Sequence, residues 1–186
     1  MRLVAPSHKT LGGEIMSTPT DTGNTLDSFM EMLNNKDGML RQSARKSLVA
    51  MGAPAVLPLA QALQQSKSDQ VRWEAAKALG AMGDVRAIPA LIAALGDRDS
   101  DVVWLAAVGL KTFGKAAWPA LLLALIDEGT ESVVLRKGAH HVFHDQKESG
   151  YEDLLAALME ALEQKALPEA ASMVAHEILE RMRANA

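Results

Sequence analysis

Tryptophans next to cations recur along this chain at near-regular intervals. Gln42, Trp73, Trp104 and Arg136 follow one another in this way, and four residues after each stand Lys46, Lys77, Val108 and His140. Four residues make about one helical turn, so the members of each pair share a helix face. An aromatic surface alternating with positive charge suits recognition of a protein segment or an acidic partner. The same tryptophans could instead cover gaps between helices rich in small residues. The candidate partner-binding residues are Trp73, Glu74, Lys77, Trp104, Arg136 and His140.

A second set could do metal chemistry. His140 and His144 lie one turn apart and could chelate, with Glu177 at the matching place of the last helix. The alternative is a solvated surface cluster. Cysteine is absent, which excludes disulfides, thiolate catalysis and Cys-ligated zinc. No Ser-His-Asp spacing, phosphate-cradling glycine loop or paired-carboxylate pattern occurs outside ordinary helix surfaces. The expectation is a non-enzymatic protein-binding scaffold with no cofactor, its partner and oligomeric state open.

Arg41, Arg45 and Lys46 form a basic cluster. The net charge of −4 and the pI near 5.7 nevertheless argue against a general polyanion binder, because nucleic-acid affinity rests on many phosphate contacts. Hydrophobic residues make up 48% of the 186, and aromatics only 4%. That balance favours close-packed helices over a β-sandwich. The longest apolar run, 116–126, is shorter than a bilayer span and contains Pro119. With no secretory h-region in the first fifteen residues, a cytoplasmic protein without membrane insertion is expected.

Positioning such residues requires a repeated scaffold. Val71 to Gly83 is echoed by Val102 to Gly114 at an offset of 31 residues. The same step backward places Leu40, Ala44, Leu48, Met51 and Gly52 in register. With one residue inserted, Val134, Gly138, Ala139 and Val142 take the places of Val102, Ala106, Ala107 and Leu110. Ala171, Ala175, Leu179 and Met182 form a last half-copy. Spacings of four, four and three mark an amphipathic helix. Gly52, Gly83 and Gly114 stop it, and a second helix follows each corner with Pro58, Pro89 or Pro119 in its first turn.

The units so defined span approximately 39–65, 70–95, 101–127 and 132–163. A cap helix is expected over 25–34, with Thr25 as N-cap and Leu26, Phe29, Met30 and Leu33 as its apolar stripe. A second cap helix is expected over 168–184. Residues 1–24 lack periodicity and read as a flexible arm, with Met16 a second possible start. A single unit cannot repay its backbone entropy, so the units must stack into an all-α solenoid of about four helix pairs capped at both ends.

The run Val71-Arg-x-Glu-Ala-Ala-x-Ala-Leu-Gly, followed by Ile88-Pro-Ala-Leu-Ile and a Leu-x-Asp close, resembles HEAT-like repeats of the phycobilisome-lyase type. The resemblance covers roughly residues 26–184 and implies an armadillo-like right-handed superhelix. It also implies alternatives to scaffolding. One is bilin handling, as in the lyases. Another is metal-dependent oxygenation, as in deoxyhypusine hydroxylases, whose units carry His-Glu pairs around a di-iron centre. Here Trp73 precedes Glu74 where that family has histidine, and His176-Glu177 sits three places out of register. Some HEAT-like proteins are DNA glycosylases, a reading opposed by the acidic balance.

Overall fold

The structure, a computed structural model, describes residues 20–128, 131–163 and 166–185. Among them are ten α-helices and two short 3-10 turns, and no strand. The helices are α1 (Thr20–Met32), α2 (Gly38–Met51), α3 (Ala53–Gln65), α4 (Asp69–Met82), α5 (Ile88–Ala94), α6 (Ser100–Phe113), α7 (Trp118–Asp127), α8 (Val133–Phe143), α9 (Glu152–Ala161) and α10 (Pro168–Ala184). The all-α solenoid expected from the repeat is borne out.

Each first helix opens on a polar N-cap that satisfies an otherwise unpaired amide. Asp37 Oδ1 accepts from the Met39 amide at 2.8 Å, Ser68 Oγ from Val71 at 3.4 Å, Asp99 Oδ1 from Val102 at 3.1 Å and Ser132 Oγ from Leu135 at 3.1 Å. The corners at Gly52, Gly83 and Gly114 have φ of 66°, 66° and 52°, a region open to glycine and costly for other residues.

Two layers result. The first helices α2, α4, α6 and α8 stack in one, and the second helices α3, α5 and α7 in the other. The most intimate antiparallel contacts between layers join α3 to α4 and α5 to α6, across the polar links rather than the glycine corners. Small residues let the first layer close up. A Cβ built on Gly80 would lie 2.8 Å from the Gly109 Cα, so the α4 and α6 backbones approach almost without intervening side chains.

Neighbouring units are also clamped by charge. Arg72, 4% exposed, donates from Nε to Asp97 Oδ2 at 2.7 Å and from Nη2 to Asp97 Oδ1 at 3.0 Å. Its remaining donors reach Asp69 Oδ1 at 2.7 Å and the Ser66 carbonyl at 2.9 Å. The bond to Asp97 is the main reason the guanidinium is held above its ordinary pKa, against the opposing effect of burial.

Several expectations need correction. α1 begins at Thr20, so Thr25 lies inside the helix and is not its N-cap. One glycine, Gly23, costs a helix only about 1 kcal/mol, and the helix runs through it. The arm and the start at Met16 fall, up to residue 19, outside the described residues. Leu33 is fully buried, with Leu26, Phe29 and Met30 packed against the same core.

Pro58 is not in a first turn. α3 starts at Ala53, with Pro54 at its N-terminus, which leaves Pro58 in the interior. In the next two units a 3-10 turn, Val85–Ala87 or Gly114–Ala117, absorbs that stretch, and Pro89 and Pro119 do open their helices.

The C-terminal end departs further. Ala171, Ala175 and Leu179 are buried, yet α10 stacks against α7 and α9 rather than continuing the layer of α8. The Ser172 hydroxyl donates to the Ile126 carbonyl at 3.4 Å across this contact. Between α8 and α9 the glycine corner is replaced by a longer link with positive φ at Asp145 and Gly150. Without the tight corner, α10 takes the place beside α7 that a second helix would fill. Trp118, Phe143 and Tyr151 seal the junction, with Trp118 5.9 Å from Phe143 and 5.8 Å from Tyr151 between ring centroids.

Ser100–Asp127 is 28 residues long and has an 18-residue window of mean hydropathy 1.2, which by length and composition would suffice to cross a membrane. The apolar run 116–126 by itself understated this stretch. The backbone turns at Gly114 and divides it into α6 and α7, with Val102, Leu110, Leu121 and Leu125 buried in the core.

Candidate functional site

The N-caps define the register of the first layer. Asp37, Ser68 and Asp99 are 31 residues apart, but Ser132 follows Asp99 by 33. Burial agrees, because Leu135, Gly138, Ala139, Val142 and Phe143 are buried as Val102, Leu105, Ala106, Gly109 and Leu110 are, while Val134 is exposed. The single inserted residue expected from sequence is therefore two.

This shift changes the fourth rung. Lys137 and His141, both exposed, continue the series of Trp104 and Val108. Arg136 instead occupies the place of Arg72 and is half-buried, and His140 occupies the place of Ala107. Both therefore leave the expected surface set. The series that shares one outward face is Gln42, Trp73, Trp104 and Lys137, with Lys46, Lys77, Val108 and His141 one turn on. A regular N-cap before each helix was the sequence signal for this; matching apolar residues pointed one residue short.

Trp104 is 57% exposed and Val108 beside it 39%. Trp73 is half-buried, with Lys77 Nζ 4.6 Å from its ring centroid and the Arg45 guanidinium carbon at 5.9 Å. Each such contact contributes about 0.5–1 kcal/mol at a surface and holds the indole in place. Of the two tryptophans, one is steadied by cations and the other stands clear of the core.

Glu74 is not presented to a partner. It is 2% exposed, and its carboxylate accepts from Arg41 Nε at 3.3 Å, from Gln70 Nε2 at 3.5 Å and from Arg45. Arg41 also donates to the carbonyls of Asn35 at 2.8 Å and Lys36 at 3.1 Å. A buried carboxylate needs such partners, and in binding them it ties α4 to α2. Glu74 thus forms the floor of a groove of about 450 Å³, with Arg41, Arg45, Trp73 and Lys77 on its walls and Asp99 and Asp101 at its far rim. Asp69, also on this rim, is held below the usual carboxylate pKa by its hydrogen bonds to Arg72 and Arg98.

The metal set does not assemble. α8 ends at Phe143, yet His144 keeps the one-turn spacing to His140, its amide donating to the His140 carbonyl at 2.9 Å and its ring lying 6.0 Å from the His140 ring. The pair is brought together, and the third ligand is what is missing. His144 Nδ1 lies 2.7 Å from Asp145 Oδ2. Glu177 lines a separate hollow with Ile126, Ser172, Met173 and His176, and His176 pairs with Glu180 at 3.3 Å. Among the described residues no group of three or more His, Asp or Glu is placed to hold a metal ion. His140 is held below its ordinary pKa by burial first, then by His141 and His144, with Glu163 opposing.

No curated protein matches the chain. The stacked helix pairs and the Arg72–Asp97 clamp coincide with a match of residues 56–141 to the family described as HEAT repeats, and in this stretch the chain is similar to HEAT-repeat proteins.

Proposed function

We propose that the chain is a non-enzymatic scaffold that engages a protein partner through the outward face of its first-helix layer. The observation that carries the proposal is Trp104. A tryptophan more than half exposed on a rigid helix, flanked by the exposed Val108, leaves apolar area in water that a partner would remove. HEAT repeats commonly serve as interaction scaffolds, which supports the same reading. The pattern from Val71 to Asp97 supports reading the repeats as the phycobilisome-lyase type.

The test separates binding from packing. Trp104→Ala should leave the unfolding free energy within about 0.5 kcal/mol of the parent, as for a surface substitution, and should abolish partner capture by a photo-crosslinking residue at Val108. A crosslinker at the exposed Leu57 on the other layer is the control. A large loss of stability with capture intact would assign Trp104 to packing.

A further inference from the structure

The outward face has a sign. Its eight positions include Lys46, Lys77, Lys137 and His141 and not one carboxylate, although the chain as a whole is acidic. Acids do occur nearby, at Asp69, Asp99 and Asp101 on the groove rim, but they lie at the N-terminal edges of α4 and α6, about a turn before Trp73 and Trp104, and Asp69 is paired with Arg72 and Arg98. Asp99 is occupied in capping α6, and Glu74 beneath the face is neutralised by Arg41 and Arg45. What remains is a stripe crossing four helices, cationic on α2, α4 and α8 and apolar on α6.

We propose that the partner segment is an extended, acidic peptide that crosses the first-helix layer, with carboxylates against Lys46, Lys77 and Lys137 and an apolar side chain against Trp104 and Val108. This inference rests on the scaffold proposal and adds the chemistry and spacing of the occupant. Neighbouring packed helices are about 8–10 Å apart and an extended chain advances about 3.3 Å per residue, so one rung corresponds to about three residues. The favoured segment therefore places acidic residues about three apart, breaks the series with one aliphatic or aromatic residue, and resumes it. A helical ligand advances only about 1.5 Å per residue and would need its acidic residues about six or seven apart, so the three-residue step is specific to an extended chain.

The experiment uses the full chain and a fluorescein-labelled synthetic peptide of about twelve residues with glutamate at every third position and leucine in the rung facing Trp104. A peptide of the same composition with its glutamates gathered at one end, and one with lysine for glutamate, are the comparators. Anisotropy should rise for the spaced acidic peptide, with affinity falling about tenfold as salt is raised well beyond physiological strength. The clustered peptide should bind at least about fivefold more weakly. Lys77→Glu, its helicity checked by circular dichroism, should lose the acidic peptide and gain the lysine one.

Equal or tighter binding of the lysine peptide by the parent, or affinity indifferent to salt, would overturn the acidic preference. Equal binding of the clustered peptide would overturn the three-residue step. If no peptide binds while the crosslinker at Val108 still captures a protein in a Trp104-dependent manner, this inference fails and the scaffold proposal survives; if capture fails too, both fall. Self-association by sedimentation that Trp104→Glu abolishes would give the face to a second copy of this chain and overturn the proposal.

Discussion

Replacing Gly80 with alanine tests the closeness of the first-helix layer. The added Cβ would sit 2.8 Å from the Gly109 Cα, about 0.6 Å inside the 3.4 Å at which ordinary contact begins. The obstacle is backbone, so no rotamer change relieves it, and α4 and α6 must part. A gap of 0.5–1 Å forfeits about a quarter to a half of each contact's 0.1–0.2 kcal/mol. Over the few dozen atom pairs of such a seam, the loss is about 2–3 kcal/mol, in the range of overpacking generally. Alanine regains about 1 kcal/mol of helix propensity, leaving a net destabilisation of about 1–2 kcal/mol. For a chain of this size that lowers the thermal midpoint by about 2–8 °C, read by circular dichroism at 222 nm. Gly109→Ala, with its Cβ 3.2 Å from the Gly80 Cα and 3.4 Å from Leu91, should cost less. A Gly80→Ala protein as stable as the parent, or less affected than Gly109→Ala, would refute the close approach.

Arg72→Met should destabilise the fold by about 3 kcal/mol in urea titration, because it strands Asp97 with one-tenth of its side chain exposed. Trp73→Ala should lower stability more than Trp104→Ala in the same titration, since Trp73 packs against the core and carries Lys77 and Arg45 on its ring. Asp153 and Asp84 are held at about 2, chiefly by their hydrogen bonds to Arg181 and Arg86. Their folded values lie below the unfolded value of 3.8, so their contribution is present above that pH and is lost as pH falls towards about 2. Asp153→Asn should flatten the acid limb of the melting profile in this window. His140, also depressed, favours the unfolded state as pH falls below its ordinary value of 6.5, and His140→Gln should reduce that part of the loss.

The helices and their corners were legible because the cues are local. A stripe at spacings of four and three followed by glycine reads the same way three times, and the glycines at 52, 83 and 114 do take positive φ. The fourth rung was misread because small apolar residues are interchangeable in such a stripe. Val134, Gly138 and Ala139 fit one register almost as well as Leu135, Gly138 and Ala139 fit the other, and only the capping serine decides. Glu74 was misjudged for a different reason. Its partners Arg41 and Arg45 come from the preceding unit, 33 and 29 residues away, and such pairing leaves no periodic trace. The placing of α10 depends on the length of the link after α8, which decides which layer the chain can reach.

That last placement sets where the molecule can be lengthened. With α10 packed beside α7 in the second layer, a duplicated unit appended after it would meet a surface of the wrong layer and find no seat. A copy of the 31-residue period spliced between two interior caps, such as Ser68 and Asp99, would meet matching neighbours on both sides. Such a graft would turn the stack into a ruler, each added tread extending the reach by one helix width.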